Sequence, residues 1–237
     1  MMRKLFKEAF QYKETQCTII ADKEKAVKTA IESIRRNRKE LEDYAKNNPK
    51  FLYTLEPIPP PAEPLVARLM AEAAEKANVG PMAAVAGVLA DLAVKDMVLD
   101  GCEVAVVENG GEVSAKSDRP VDVALAAGDA PLSKRFGFRL TDFPVGLATS
   151  SGRFSHALSF GDAEAATVFC RNAGLADAAA TAVGNVVNGE DHQGAVQRGI
   201  DKALSILGVE GVLIIYRGFT GTAGKIPQII KIDQRVT

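Results

Sequence analysis

The residues with the most chemical promise lie in the run Ala176-Asp177-Ala178-Ala179-Ala180-Thr181-Ala182. Asp177 and Thr181 are four positions apart, so a helix here sets a carboxylate and a hydroxyl on one face. Two hard oxygen donors so placed suit Mg²⁺, which takes few protein ligands and fills its shell with phosphate oxygens and water. The same aspartate also suits a first helical turn, where the macrodipole favours negative charge, and spacing leaves both roles open. A second group is Thr149-Ser150-Ser151-Gly152, at the end of the strand-like VGLATS. Its hydroxyls and backbone amides can receive a phosphate or make an ordinary polar turn. A third is Asn109-Gly110-Gly111, whose glycine pair permits close approach of a flat ligand. It also signals a hairpin turn, with Asn109 and Gly110 expected at its centre. His156 follows the second group and can exchange a proton with a bound molecule, or make one structural hydrogen bond. His192, after Asp191, reads as a surface residue at a helix start.

Other chemistries are excluded by what the chain lacks. It has two histidines and three separated cysteines, Cys17, Cys102 and Cys170, with no CxxC pair, so a structural zinc site cannot be assembled. Each cysteine sits in an apolar, strand-like run and is expected to be a buried thiol. Net charge is −1, from 29 basic and 30 acidic residues, which supplies no polyanion-binding field. Aromatic residues make up 6% and tryptophan is absent, so stacking platforms for single-stranded nucleic acid are scarce. The N-terminal MMRKLFKEAFQYKE has charges breaking every apolar stretch, and no run is long enough to span a membrane. A cytoplasmic location is expected. The segment Gly218–Gly224 lacks the GK[ST] ending of a phosphate loop and reads as a hairpin turn.

The elements that must position these residues follow from periodicity. The first twenty residues alternate and read as a hairpin with one wet face. Asp22 is expected to cap a helix reaching about Lys46, with apolar residues every three or four positions and a solvated basic face at Arg35, Arg36, Arg38 and Lys39. The Pro-rich connector at 49–64 is expected to hold no helix. Helices follow over about 63–77 and 81–99, the latter rich in Ala and Gly. From Glu103 the period becomes two, giving strands at EVAVV, GEVSAK, VDVALAAG, FGFRL, VGLATS and ATVFC. Two more helices and a closing hairpin, GVLIIY to KIPQIIKI, complete the chain. Segregated helices and strands imply α+β with antiparallel sheets. The order suggests one domain made of two similar halves, about 1–127 and 128–237, each a ββααββ unit. The Ala-rich helices suit close packing within the chain and a homodimer interface equally.

Taken in order, these segments resemble the ApbE superfamily. GPMAAVAGVLAD resembles the family's small-residue helix ending in Gly-x-x-x-Asp, here Gly87 to Asp91. VVENGGEV resembles its strand–turn, LATSSG its Thr-Ser-Gly strand end, and LADAAATAV its metal-binding helix. The resemblance runs from about Gly80 to Val187. It implies a duplicated T-fold-like α+β arrangement and a small-molecule nucleotide ligand, FAD, held with Mg²⁺. It also implies metal ligation by Asp177 and Thr181, joined by a main-chain carbonyl from 82–85. Asn109, Gly110, Gly111, Thr149, Ser150, Ser151 and Gly152 would line the ligand, and His156 would serve as acid–base. The implied chemistry is phosphoester transfer or hydrolysis. Two departures stand out: Ala86 where the family usually has Lys, and His156-Ala-Leu-Ser-Phe-Gly161 in place of a short Asp-Pro segment. They keep open an alternative, an accessory protein of the same fold in a metabolic pathway such as sulfur assimilation.

Overall fold

Alternating residues in Phe6–Tyr12 (β1) and Thr15–Ala21 (β2) form the expected hairpin, and Cys17, Ile19 and Ala21 turn inward from β2. They meet the helix Glu24–Asn47 (α1), which buries Val27, Ala30, Ile34, Leu41 and Ala45 at spacings of three and four. The computed structural model describes residues 3–125, 136–150 and 163–232. The polar face of α1 is ion-paired: Arg36 reaches Asp96 at 2.7 Å, and Lys39 reaches Asp43 at 2.7 Å. Asp22 does not cap this helix. Lys23 occupies that position without a side-chain bond, while Asp22 accepts from the amides of Glu103 and Val104 at 3.1 and 3.3 Å. Its carboxylate ties the start of the helix to the next strand instead.

The connector is not wholly extended. Lys50–Tyr53 (α2) forms one helical turn that buries Phe51 against the ring of Tyr44, 5.2 Å away. The helical turn ends before the prolines, which then hold the chain extended. Helix Leu65–Ala77 (α3) ends at Asn78, in the left-handed conformation at φ 59. A 3₁₀ turn, Pro81–Ala84, leads into Val85–Leu99 (α4), and Pro81 opens it as expected. Then come Ala105–Asn109 (β3), Glu112–Lys116 (β4), Val121–Ala124 (β5), Phe136–Leu140 (β6), Val145–Ser150 (β7) and Ala165–Cys170 (β8). Helices Ala173–Gly184 (α5) and His192–Ser205 (α6) precede Val209–Tyr216 (β9), Phe219–Gly224 (β10) and Gln228–Lys231 (β11).

Among the described residues, eight strands form one antiparallel sheet in the order β1-β2-β3-β4-β7-β8-β9-β10. Three more, β11-β6-β5, form a second sheet. The helices cover one face of the large sheet, with Met70, Leu89 and Ile214 deep in that core. The small sheet covers the other face, where Phe138 packs edge-on against Phe169 at 4.9 Å. The fold is therefore α+β in three layers. The closing hairpin differs from expectation. The Gly-rich run is itself strand β10, paired residue by residue with β9, and the turn is Arg217-Gly218. Gln228–Lys231 pairs not with β9 but with β6 in the other sheet. Three cysteines are buried, and burial pushes the Cys17 and Cys170 thiols up to about 12 and the Cys102 thiol up to about 11. No helix among the described residues is long and apolar enough to cross a membrane.

Candidate functional site

Helix α4 begins without a capping side chain of its own, so its first amides need acceptors from elsewhere. Asp177, on α5, supplies one: its Oδ2 accepts from Gly87 N at 3.0 Å, and the Ala86 amide also points to it. Helix α5 is closed reciprocally. Asp91, one turn into α4, accepts from Ala173 N at 2.9 Å and Gly174 N at 2.8 Å, and from Ser114 Oγ at 2.7 Å. Each carboxylate thus completes the first turn of the other's helix. The runs Gly87-Val88-Leu89-Ala90-Asp91 and Ala173-Gly174-Leu175-Ala176-Asp177 occupy matching places in this crossing. Small residues make it possible: a Cβ on Gly87 would stand 2.2 Å from the Ala173 carbonyl oxygen, and one on Gly146 of β7 would stand 2.1 Å from Ala173 N.

The β3–β4 turn closes over this crossing. Asn109 is the last residue of β3 rather than a turn centre, and its buried side chain donates from Nδ2 to the Ala86 carbonyl at 3.0 Å. The turn residues are Gly110 and Gly111, at φ 71 and 114, a conformation that a Cβ would strain. Gly111 N donates to Glu108 Oε1 at 2.9 Å. Asn109 and Asp177 therefore grip Ala86–Gly87 from two sides, one through a carbonyl and the other through amides.

Among the described residues no group of three or more Asp, Glu, His or Cys could hold a metal ion, but two carboxylates here are perturbed. Burial pushes the Asp177 carboxyl up to about 7; the Gly87 and Ala86 amides oppose the shift and the negative Asp91 adds to it. Glu112 is held well above the usual carboxylate range, by burial first and then by the charges of Asp177 and Glu108. Carboxylates that crowd one another out of water must share a proton or a cation. With the Thr181 hydroxyl one turn beyond Asp177, the donors are all hard oxygens, which fits Mg²⁺ and not a soft metal.

Thr149 lies near the end of β7. Val113 of β4 pairs with Leu147, so Thr149, two residues on, comes level with the Gly110-Gly111 turn. Its Oγ1 shares a hydrogen bond of 2.9 Å with Thr167 Oγ1, and Ser150 pairs with Ala166. The structure therefore brings Asn109, Gly110, Gly111 and Asp177 to one crossing, with Thr181 one turn further along α5 and Thr149 and Ser150 on the adjoining strand. Ser151, Gly152 and His156 lie outside the described residues. His192 opens α6 behind the capping Asp191 and packs edge-on against Tyr216 at 5.3 Å and Phe219 at 5.9 Å. Sequence reading missed Glu112. Alternation in β4 marks it as polar, but only the crossing with α5 shows which carboxylate it faces.

Comparison with known proteins agrees with this architecture. A family model described as AbpE bacteria matches residues 3–206. A UPF0280 protein of Methanococcus vannielii is 38% identical over 236 residues, covering 98% of this chain and 95% of that protein. One from Methanopyrus kandleri is 40% identical over 223 residues, covering 92% and 90%. Among solved structures, the apo flavinyl transferase ApbE of Pseudomonas stutzeri superposes with a TM-score of 0.60 at 13% identity, covering 93% of this chain and 94% of that one. The ApbE protein of Thermotoga maritima gives 0.57 at 12% identity, with 97% of each chain covered. That likeness is one of fold. With a family match over most of its length and relatives this similar over nearly all of it, the chain belongs to the AbpE bacteria family.

Proposed function

We propose that this protein binds a flavin nucleotide, FAD, together with Mg²⁺, and acts on the pyrophosphate by phosphoester transfer or hydrolysis in the cytoplasm. One observation carries the reading: Asp177, beside Glu112 and above Thr181, is a partly buried carboxylate whose surroundings favour a bound cation over a bare charge. Two solved neighbours are named as flavin transferases, which supports the ligand class. Asp177 and Thr181 would hold the ion with a main-chain carbonyl from 82–85. When bound, Mg²⁺ supplies Lewis-acid polarisation of a pyrophosphate oxygen. The chain's own residues orient the ligand. Gly110 and Gly111 offer a backbone that a flat ring can approach, and Thr149, Ser150, Ser151 and Gly152 offer hydroxyls and amides. His156 serves as acid–base. We also propose that the two halves, about 1–127 and 128–237, descend from one ββααββ unit, since each contributes four consecutive strands in the same spatial order.

Titration of FAD with purified protein tests the reading, followed by quenching of flavin fluorescence with and without Mg²⁺. Saturable quenching that strengthens with Mg²⁺ is expected, and its absence in both conditions, with the fold intact, overturns it. Ala86 favours a second reading, a non-catalytic accessory protein. Where a lysine would meet a phosphate, this chain has a methyl group whose own peptide is already bonded to Asn109 and Asp177. FAD binding without any turnover of FAD would select it.

A further inference from the structure

A cavity of about 540 Å³ opens between α3, α4, the start of α5 and the end of β4, and it includes Asp91 but not Asp177. Its walls are apolar: Leu69 from α3, Val88, Val94, Val98 and Leu99 from α4, and Leu175 from α5. Val98 and Leu99 are 38% and 75% exposed, so the apolar lining continues out to solvent. Its volume is that of a small-molecule site.

The charges around it are unbalanced. Glu72 is paired with Arg68 at 3.9 Å, and Arg171 is bonded to Asp142 at 2.9 Å and Glu210 at 2.5 Å. Asp91 is consumed by Ser114 and two amides. That leaves Lys76, Lys95 and Lys116, one each from α3, α4 and β4, which line the same cavity and make no ion pair among the described residues. Three lysines from three elements, lining one apolar hollow, are complementary to one kind of molecule. The body must be hydrophobic and the head must be a multiply charged anion, for which lysine is a suitable point-charge partner.

We propose that this cavity is a second binding site, separate from the Asp177 site, for an amphipathic organic phosphate: an apolar body seated between α3 and α4 and a phosphate monoester head between Lys76, Lys95 and Lys116. The probe is decyl phosphate, with decanol as the same body without charge and inorganic phosphate as the head without the body. Binding is read by calorimetry and by thermal shift on the full chain. Decyl phosphate should bind one to one and raise Tm, more weakly at high salt, because these lysines are exposed; decanol and inorganic phosphate should do neither at the same concentration. Lys95→Glu with Lys116→Glu should weaken decyl phosphate by roughly tenfold or more, while Lys28→Glu, on α1, should not. Val98→Glu should weaken it independently, through the apolar wall. The FAD response should be unchanged in these variants, which separates failure of this site from failure of the flavin reading. Absence of binding, equal binding of decanol, or binding indifferent to the paired lysine reversal would each overturn the proposal.

Discussion

Asp91 and Asp177 occupy equivalent places on crossing helices, yet their chemistry differs. Asp91 accepts three hydrogen bonds and has no free work to do. Asp91→Ala would strand three donors below the surface, each costing about 1–3 kcal/mol. Urea unfolding should therefore show a loss of about 3 kcal/mol or more, with or without Mg²⁺. Asp177 is shielded from water and its charge acts on a second carboxylate, Glu112, so that charge is a burden unless a cation is present. Asp177→Asn keeps an oxygen for Gly87 N and removes the charge. In EDTA at pH 8 this variant should be at least as stable as the parent by thermal melting. The Mg²⁺-dependent part of FAD quenching should be lost. A Mg²⁺ response equal to the parent's would remove Asp177 from the metal site.

At the scale of elements, the crossing of α4 and α5 depends on backbone contact rather than side-chain filling. Gly87→Ala would place a methyl group 2.2 Å from the Ala173 carbonyl oxygen, so the two helices must separate. Overpacking of this kind costs about 1–3 kcal/mol. The Gly87–Asp177 bond would lengthen as the helices part, so denaturant melts and FAD affinity should fall together. Loss of stability with unchanged affinity would mean that the crossing is structural only. Helix α5 was legible from Asp177 and Thr181, because an i, i+4 pair in an Ala-rich run fixes the shared face. The turn was less legible. Asn109 was expected at its centre from Asn-Gly preference. The need to satisfy the Ala86 carbonyl keeps it in β3 and moves the turn to Gly110-Gly111.

For the whole molecule, opposing carboxylate shifts set the pH profile. Asp177 and Glu112 titrate above their unfolded values. Their contribution is complete below about pH 4, the ordinary carboxylate value; that of Asp177 is lost as pH rises toward about 7, and that of Glu112 is also lost as pH rises. Asp43 and Asp122, held below the usual range by Lys39 with Lys46 and by Arg139, act oppositely: their contribution is complete above the ordinary carboxylate value and is lost as pH falls below it. Those pairs are exposed, so their part is small. In EDTA, Tm should be highest near pH 4 and decline as pH rises toward about 7. Mg²⁺ should restore Tm mainly at the upper end, since it binds the ionised pair. A flat Mg²⁺ effect from pH 5 to 8 would contradict the site.

By itself, the sequence determined the local periods, the small-residue helices and the oxygen donors at Asp177 and Thr181, because these depend on neighbours a few residues away. It also offered no CxxC pair or His-rich spacing for a structural zinc site. Only the tertiary structure decided that β11 leaves β9 for β6, that Asp22 serves a strand instead of a helix, and that Glu112 feels the charge of Asp177. It alone brought Lys76, Lys95 and Lys116 to one cavity. Strand partners and facing charges are set by long-range packing, in which residues far apart in the chain compete for the same buried surface, and no local pattern records which of them wins.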